Sequence, residues 1–526
     1  MDTKALRQKI LDLAIRGKLV PQDPNDEPAE VLLERIREQK QQMFKEGKLK
    51  KKDIKNDTII FKGEDNLHYE KFQDGTVKCI EDEIPFEVPE GWCWARVRDI
   101  AMVKGGKRLP KGASFSEEIT THAYIRVTDM KNHSVNISNL RYISDEIFSA
   151  IKNYTIAKDD LYVTIAGTIG VVGEIPDKLD GMNLTENAVK ITNIAINKSF
   201  LCIILQTDFV QQQFQDKTHQ VAMPKLALER ILSTLIPICP YVQQLQIVDR
   251  FQICDNFLST IDTEKEELQK IVSLSKYKIL DLAIRGKLVP QDPNDEPASV
   301  ILERIRTEKE ELIKQGKIKR DKKESVIFKG DDNSYYLRTG GVEESLENWR
   351  FDDLPETWKI CCLGELCDYG DCINVNTEDI AEDAWILDLE DIEKDTGMVL
   401  KKVTKAQRNS VSTKHKFHSG QVLYSKLRPY LNKVVLSDAD GYCTSEILPL
   451  EFKNCVLPEY ARYYLMSGTF ITYANHCSYG VKMPRLGTTD GKKAIFSLPP
   501  LSEQKCIVET IDFCFMQLNK ISEALA

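Results

Sequence analysis

The stretch KILDLAIRGKLVPQDPNDEPA occupies residues 9–29 and recurs without a single change at residues 278–298. The two copies lie 269 positions apart, about half of the 526-residue chain. Shorter echoes follow at similar spacing: VPEGW at 88–92 matches LPETW at 354–358, and MPKL at 223–226 matches MPRL at 483–486. A duplication of this kind predicts two structural units that share one frame.

The regions between these anchors, residues 81–241 and 347–500, differ from each other almost completely. Both contain β-branched and aromatic runs such as YIRVTDM, LYVTIAGTIGVVGEI and VLYSKLRPYLNKVVL, separated by Gly, Asn and Asp. Such runs predict strands in mixed α/β domains. A repeated frame with two different inserts suits a protein that presents two different recognition surfaces in one fixed geometry.

A heptad pattern runs through residues 243–284 and predicts one long helix. Its apolar positions are Ile247, Phe251, Cys254, Leu258, Ile261, Leu268, Val272, Ile279 and Leu282. An apolar seam at this spacing favours helix pairing, and both chain ends carry a seam in the same phase. We expect the central helix to pair antiparallel with a composite of the two termini; packing of each helix on its own domain alone is the alternative.

The motif PQDPNDEP, which ends each copy of the repeated block, predicts a break after the first helix because of its prolines. Asp26 and Asp295 are candidate caps for the next helices. These charged helices are predicted at about 29–47 and 298–316, and each ends at a glycine.

The predicted fold class is therefore α+β, with two mixed α/β domains separated by an antiparallel coiled coil of long helices. Alignment of the two halves places Ala526 opposite Glu266 and Met1 opposite Lys270, so the chain reads as a pseudo-two-fold, circularly permuted repeat cut open inside one helix. The predicted segments are a helical region at 1–80, a domain at 81–241, a helical region at 242–346, a domain at 347–500 and a helix at 501–526.

Composition narrows the classes of function. The net charge of −9 argues against a protein that coats nucleic acid without selectivity. No long apolar run and no apolar signal peptide are present, and the 14 cysteines are scattered, which is typical of reduced thiols in a soluble, cytoplasmic protein without a membrane partner. The sequence has no phosphate-binding GxxxxGK[ST] loop, and HKFH at 415–418 lacks further ligands for a metal. No catalytic or metal motif is expected.

A basic stretch is the strongest indication of nucleic-acid binding. Residues 396–437 contain nine lysines and arginines and no acid. KGGKRLPKG at 104–112 is a smaller basic loop in the first region. Cations supply phosphate affinity, and Arg, Lys and Asn side chains pair with base edges. The candidate DNA-binding residues are Lys104, Lys107, Arg108, Lys111, Arg126, Thr128, Asn183, Asn187 and Lys225 in the first region, and Lys414, Lys416, Ser425, Lys426, Arg428, Tyr430, Asn432, Lys433, Thr444, Lys482 and Arg485 in the second.

Taken together, the repeated block, IPFEVPEGW, YIRVTD, VLYSKLRPYLNKV with CTSEI, and LPPLSEQKCIV resemble the specificity (S) subunit of type I restriction-modification enzymes over nearly the whole chain. The resemblance implies that each variable region is a target recognition domain that reads one half of a split, asymmetric sequence in double-stranded DNA. It implies that the helices act as a ruler and dock two methyltransferase subunits. PICPYVQQLQIV departs from the family's PPLSEQ pattern, which predicts weaker docking at the first copy, although the phase of the helix is retained.

The same resemblance implies that this chain is non-catalytic and carries no cofactor. S-adenosylmethionine would belong to the methyltransferase partners, and ATP and Mg would belong to restriction/translocase subunits that join them. Two other readings stay open: a stand-alone DNA-binding regulator, which would bind tightly without partners, and a structural coiled-coil adaptor, which would not contact DNA.

Overall fold

The computed structural model of the chain describes residues 2–215, 225–319, 324–346, 354–408 and 411–525, without the side chain of Lys52. These residues fall into two compact units, unit 1 at 1–264 and unit 2 at 265–526. The first two residues of MPKL and the predicted boundary at 347 lie outside the described residues.

Unit 1 combines short helices with small sheets. Its helices are α1 (Thr3–Ile15), α2 (Ala29–Lys45), α3 (Lys51–Ile54), α4 (Val97–Ile100), α5 (Asp145–Ile151), α6 (Lys198–Leu205), α7 (Asp208–Gln215) and α8 (Leu228–Ser233). Its strands are β1 (Ile59–Lys62), β2 (His68–Lys71), β3 (Val77–Cys79), β4 (Cys93–Arg96), β5 (Met102–Gly105), β6 (His122–Ile125), β7 (Met130–Lys131), β8 (Ser134–Val135), β9 (Arg141–Ile143), β10 (Thr155–Ile156), β11 (Leu161–Thr164), β12 (Val172–Glu174), β13 (Met182–Leu184), β14 (Ala188–Thr192) and β15 (Leu235–Ile238).

Two four-stranded sheets, with strand orders β10-β13-β6-β9 and β12-β11-β14-β5, form the middle of unit 1. β13 runs parallel to β6, whereas β11 and β14 are antiparallel. The strands β4 and β15 pair antiparallel, so the beginning and the end of the variable region meet. The main core packs α1, α6 and the start of the long helix α9 (Tyr241–Ile284) against β4, β11 and β14.

Unit 2 continues from the C-terminal part of α9. Its other helices are α10 (Ala298–Lys314), α11 (Leu363–Leu366), α12 (Pro458–Leu465), α13 (Gly468–His476), α14 (Thr488–Lys493) and α15 (Leu501–Leu525). Its strands are β16 (Ser325–Lys329), β17 (Tyr335–Thr339), β18 (Val342–Ser345), β19 (Lys359–Cys362), β20 (Ile373–Val375), β21 (Ile386–Leu387), β22 (Lys414–Phe417), β23 (Val422–Ser425), β24 (Val434–Leu436), β25 (Gly441–Thr444), β26 (Ile447–Leu450) and β27 (Ile495–Leu498).

The sheets of unit 2 are β16-β17-β18, β19-β27, β20-β22-β25-β21 and β24-β23-β26. As in unit 1, one pair is parallel, here β21 with β25, and the first and last strands of the variable region, β19 and β27, pair antiparallel. Its largest core joins α12 and α13 to β23, β26 and the helices α9, α10 and α15.

The long runs predicted as strands are hairpins with structured loops. LYVTIAGTIGVVGEI forms β11 and β12, and the glycines at 167 and 170 between them have φ of +80° and +86°. VLYSKLRPYLNKVVL forms β23 and β24 around a short 3-10 turn at Pro429–Leu431. The cations of this run therefore lie in a loop and not along a strand.

The repeated block makes the same junction in each unit. In unit 1, Gly17 has φ +66°, and a Cβ added to it would lie 2.4 Å from Cγ of Pro89 and 3.1 Å from the Trp92 ring. In unit 2, Gly286 has φ +65°, and the corresponding distance to Pro355 is also 2.4 Å. Only glycine fits both the left-handed backbone and the close proline.

The tryptophan of each junction is held by polar side chains. Trp92 Nε1 donates to Oε1 of Gln22 at 3.0 Å and to Oε1 of Gln243 at 2.9 Å. In unit 2, Trp358 Nε1 donates to Oε2 of Glu503 at 2.8 Å. These bonds tie the repeated block, the PEGW or PETW turn and the start of a long helix into one contact.

The terminal helices lie antiparallel to α9. In unit 1, Arg7 Nε contacts Asp255 Oδ1 at 2.6 Å, and Thr3 Oγ1 donates to Asp262 Oδ1 at 2.6 Å. In unit 2, Lys276 Nζ donates to Oδ1 of Asn519 in α15 at 2.6 Å, and the Ile284 carbonyl accepts at 2.8 Å from Ser497 Oγ in β27, the strand that precedes α15. In each unit, residue numbers rise along one partner as they fall along α9, so the two segments run in opposite directions.

The seam positions are unequal in burial. Ile247, Leu258 and Val272 are buried, while Leu268 is 44% exposed.

The helices predicted at 29–47 and 298–316 are confirmed as α2 and α10, and each is followed by a glycine with a left-handed backbone.

The capping prediction was wrong, because the N-caps are Pro28 and Pro297 without a side-chain hydrogen bond. Asp26 instead accepts from Gln243 Nε2 at 2.9 Å. Asp295 accepts from the Ser502 hydroxyl at 2.5 Å. Both carboxylates therefore bind the start of a long helix rather than cap the next one.

We predict that Gly17→Ala destabilises the protein by about 2–5 kcal/mol, since a methyl group must displace Pro89 in addition to adopting a left-handed backbone. Gly47→Ala is the matched control: Gly47 has φ +75° with no atom within 4 Å of the added Cβ, so only the backbone cost of about 1–2 kcal/mol applies. The midpoint of urea unfolding measures both. Equal losses in the two variants would contradict the proposed close packing.

Candidate nucleic-acid interface

In unit 1, several strand ends and loops meet at one place, loop cluster 1, which comprises residues 104–108, 126, 164–166, 184–188 and 225–226. The amide of Lys107 donates to the Leu184 carbonyl at 2.9 Å, and that of Leu226 donates to the Ile165 carbonyl at 2.9 Å. A Cβ on Gly106 would lie 2.0 Å from the Thr185 carbonyl oxygen. The glycine is therefore what lets the basic loop lie directly on the segment that follows β13.

A glutamate organises the cations of loop cluster 1. Arg108 Nε contacts Glu186 Oε1 at 2.6 Å, and Lys225 Nζ donates to the Glu186 carbonyl at 3.3 Å. Burial by itself would raise the pKa of Glu186. The hydrogen bonds that the carboxylate accepts, first of all from Arg108, lower the pKa by more, so the pKa of Glu186 lies below the usual value. The carboxylate thus stays charged and holds an arginine whose side chain is 78% exposed.

The remaining cations of this loop face solvent. Lys104, Lys107 and Lys111 are exposed, and Lys107 Nζ lies 5.5 Å from the centre of the Tyr154 ring. The hydroxyl of buried Tyr124 donates to the Lys107 carbonyl at 2.7 Å, and burial raises the pKa of that tyrosine to about 12. The loop backbone is therefore fixed while its lysine side chains remain accessible.

Unit 2 has a corresponding arrangement, loop cluster 2, formed by residues 425–433, 444–447 and 479–486. The amide of Leu486 donates to the Lys426 carbonyl at 3.0 Å, which matches the Leu226 bond of unit 1. Arg485 donates from Nε to both Glu446 oxygens at 3.1 Å and from Nη2 at 2.8 Å. The hydrogen bond that Arg485 donates to Glu446 raises the pKa of the arginine, so its guanidinium stays charged.

Arg428 is the most unusual cation of loop cluster 2. Its backbone is left-handed, with φ 51° and ψ 64°, and its amide donates to the Pro484 carbonyl at 2.7 Å. Its half-buried side chain has a buried Nε without a hydrogen-bond partner among the described residues. A partly exposed arginine on a backbone that is held in place is suited to a phosphate or to the O6 and N7 acceptors of guanine.

Four predicted DNA-binding residues are placed inside the protein, where they have structural roles. Asn183 is fully buried and donates to the Ile151 carbonyl, and Ser425 donates to the Leu427 carbonyl. Asn432 is buried with φ 49° and donates to the Met466 carbonyl. Lys414 is 2% exposed, donates to Ser412, and has a pKa lowered by burial. The side chains of these four residues are therefore not available to contact DNA.

Besides Arg108 and Lys225, which bind Glu186, three further cations have a partner within the protein but lie closer to the surface. Arg126 binds Asp129 at 2.7 Å, and Lys433 Nζ donates to the Leu389 carbonyl at 2.6 Å. Arg485 is held by its glutamate as described. The other predicted residues are exposed or half-buried: Lys104, Lys107, Arg108, Lys111, Thr128, Asn187 and Lys225 in unit 1, and Lys416, Lys426, Arg428, Tyr430, Thr444 and Lys482 in unit 2.

The basic stretch 396–437 is not a uniform basic field, which corrects the sequence-based expectation. Lys402 contacts Asp438 at 2.7 Å, and Lys405 contacts Glu382 at 3.0 Å. Arg408 contacts Asp391 at 2.5 Å. Acids from before and after the stretch thus neutralise its first part. Of the cations in its second part, Lys416, Lys426 and Arg428 are the ones that are exposed or half-buried without a bond already described.

Sequence reasoning missed the two glutamates that organise these clusters. Glu186 and Glu446 stand in TEN at 185–187 and SEI at 445–447, two of the few echoes between the variable regions. Their neighbours Asn187 and Thr444 are among the predicted DNA-binding residues, but the carboxylates are not. A glutamate shared by otherwise different inserts was the available signal.

The described residues hold no group of three or more His, Cys, Asp and Glu side chains suited to a metal ion. His415 is buried against the Ile447 carbonyl, and burial lowers its pKa, while His418 contacts Glu451 at 2.7 Å. All 14 cysteines are free thiols. In the part of the chain that the structure describes, every helix is too short or too polar to cross a membrane.

Residues 89–271 and 355–524 match the model of the type I restriction modification DNA specificity domain. The chain is 27% identical to the type I restriction enzyme EcoAI specificity subunit from Escherichia coli over 98% of this chain and 90% of that protein. It is 27% identical to the EcoEI specificity subunit from the same organism over 69% and 61%.

A solved structure, the HsdS subunit from Thermoanaerobacter tengcongensis, aligns with 84% of this chain and 94% of its own, with 16% identity and a TM-score of 0.44. The two matched stretches cover more than half of the chain and define a DNA-recognition protein of a restriction-modification system. The chain belongs to the type I restriction-modification DNA specificity family, and it is a specificity subunit, a non-catalytic component.

We predict that Arg428→Ala weakens binding of the assembled complex to its DNA target by about 5- to 150-fold, equivalent to about 1–3 kcal/mol for a bidentate contact. Arg428→Lys should recover only part of the loss, because an ammonium group cannot donate in the same paired geometry. Fluorescence anisotropy at fixed salt measures the affinity.

Lys402→Ala is the matched control, since Lys402 belongs to the same basic stretch but is already paired with Asp438. It should change the affinity by less than about twofold, as expected for an exposed ion pair. An equal loss in Arg428→Ala and Lys402→Ala would show that the effect comes from general charge and not from a specific contact.

Proposed function

We propose that this specificity subunit recognises a bipartite, asymmetric target in double-stranded DNA and docks two methyltransferase subunits, through which restriction/translocase subunits join. Residues 81–241 and 347–500 are the two target recognition domains in this proposal, and 1–80, 242–346 and 501–526 supply the helical frame as a permuted, pseudo-two-fold coiled coil. The partners would carry S-adenosylmethionine, ATP and Mg.

The observation that carries this proposal is that the two loop clusters share a glutamate position but not the cation it holds. Glu186 binds Arg108, which precedes β6, whereas Glu446 binds Arg485, which follows α13. The same backbone frame therefore presents different donors in the two units. Two different donor patterns require two different base sequences, which is why the half-sites should differ.

The pairing of strands supports the domain limits. β4 with β15 and β19 with β27 each join the two ends of a variable region beside the frame. An insert whose ends meet at one sheet can vary inside without displacing the frame. This arrangement suits a protein that keeps its partners while it changes its target.

Exposed apolar residues on the long helix support docking. Phe257 in unit 1 is 68% exposed, and Leu274 in unit 2 is 67% exposed. Large apolar side chains exposed on a helix are typical of a surface that binds another protein. A stand-alone regulator would have no use for this surface, although an adaptor would.

We expect one split, asymmetric methylation motif when this chain is co-expressed with the methyltransferase encoded beside it, in a host without other adenine methylation. Single-molecule sequencing of the genome maps the modified adenines and gives both half-sites and the gap between them. Methylation that is absent despite a stable complex, or that does not depend on this chain, would favour the adaptor. Tight, specific binding by the purified chain alone would favour the regulator.

We expect the length of the central helix to set the gap in the motif. Four residues inserted between Glu264 and Lys265 add about 6 Å to a helix of 44 residues. Because four residues make slightly more than one helical turn of about 3.6 residues, the side chains after the insertion keep nearly the same orientation around the helix axis. The gap should lengthen by about one or two base pairs, since a turn of DNA of about 10 base pairs spans about 34–36 Å. The same four residues placed after Gly47, at the end of α2, should leave the gap unchanged. An unchanged motif in the helix variant would refute the ruler.

A further inference from the structure

A short hairpin at residues 479–485 projects from loop cluster 2. Tyr479 and Arg485 exchange two backbone hydrogen bonds of 3.1 and 3.0 Å, so the segment, which we call the ribbon, is a narrow loop closed by one antiparallel pair of residues. Gly480 has φ +95° and makes the turn. Arg485 also forms a bridge with Leu427, which fixes the base of the ribbon to the loop after β23.

The tip of this ribbon is apolar although it faces solvent. Val481 is fully exposed, Met483 is 46% exposed and Tyr479 is 62% exposed. Lys482 stands between them and is exposed as well. These apolar side chains are not buried by the fold of unit 2, so they are available for contact with a partner.

The surroundings of the ribbon indicate what this partner is. Its base is tied to Glu446 through Arg485, and its Pro484 carbonyl accepts from the amide of Arg428. The apolar tip is thus continuous with the cationic groups of loop cluster 2. A surface of cations around a small apolar point matches duplex DNA, whose major groove is wide enough to admit a narrow loop and whose apolar feature there is the C5 methyl group of thymine.

We propose that the ribbon 479–485 enters the major groove of one half-site and that Val481 and Met483 read thymine methyl groups. In this inference, which rests on the proposed function, Lys482 contacts a neighbouring phosphate. Glu446 is a positioning residue, because it holds Arg485 and so the angle of the ribbon. The base specificity of this unit then comes in part from shape and apolar contact, in addition to hydrogen bonds from arginine.

The test uses the assembled methyltransferase complex and its mapped target, with thymine replaced by deoxyuridine in one half-site at a time. Deoxyuridine pairs as thymine does but lacks the methyl group. We expect the wild-type complex to lose about 3- to 10-fold in affinity at one half-site only, as for one or two buried methyl groups. Val481→Ala combined with Met483→Ala should bind both duplexes alike, at the weaker level.

Two controls separate the parts of the ribbon. Val342→Ala removes an equally apolar residue, 71% exposed, from β18 and should behave as the wild type. Lys482→Ala should keep the preference for thymine but lower the slope of log affinity against log salt by about one.

Three results would overturn the inference: equal wild-type affinity for thymine and deoxyuridine at both half-sites, an unchanged preference in the double variant, or loss of the methyltransferase from the double variant, which would place the tip at a protein contact. If the wild-type complex has no bipartite target at all, the proposed function itself fails. The two failures are therefore distinguished by the wild-type protein alone.

Discussion

The packing of a proline and a tryptophan on a glycine of the repeated block is the contact on which each unit is built. It requires a backbone without a side chain at Gly17 and Gly286, and it places the PEGW or PETW turn directly before the first strand of the variable region. The tryptophan then binds the start of a long helix through Gln243 or Glu503. One contact thus sets the relation between frame, insert and helix, which explains why the block is identical in the two copies.

Given that frame, the variable regions need only satisfy their ends. The strands β4 and β15, and β19 and β27, close each insert at the frame, and what lies between them carries different donors at the loop clusters. Stability and recognition are therefore assigned to different residues. A change at Arg108 or Arg428 alters a surface, whereas a change at Trp92 alters the position of everything attached to it.

The sequence was sufficient for the features whose causes are local. The helices α2 and α10 follow from apolar spacing, a proline start and a glycine end, and the family follows from motifs that match over most of the chain. The basic stretch misled because its neutralising acids, among them Glu382 and Asp438, lie outside it and meet it only in the folded unit. Asn183 and Asn432 have the right chemistry for bases, but burial assigns their amides to backbone carbonyls. Burial and long-range pairing are properties of the fold, and no spacing in the chain encodes them directly.

The glutamates at the loop clusters bear on selectivity. A bare arginine binds any phosphate, and an acidic chain of net charge −9 already disfavours indiscriminate binding. Pairing Arg108 with Glu186 and Arg485 with Glu446 lowers the gain from a phosphate further, because the carboxylate already neutralises the cation. The same pairing fixes the direction of the remaining N–H groups, which favours an acceptor at one defined place. In the proposed interface, this arrangement therefore gives up affinity for DNA in general and keeps the geometric match that distinguishes one sequence from another.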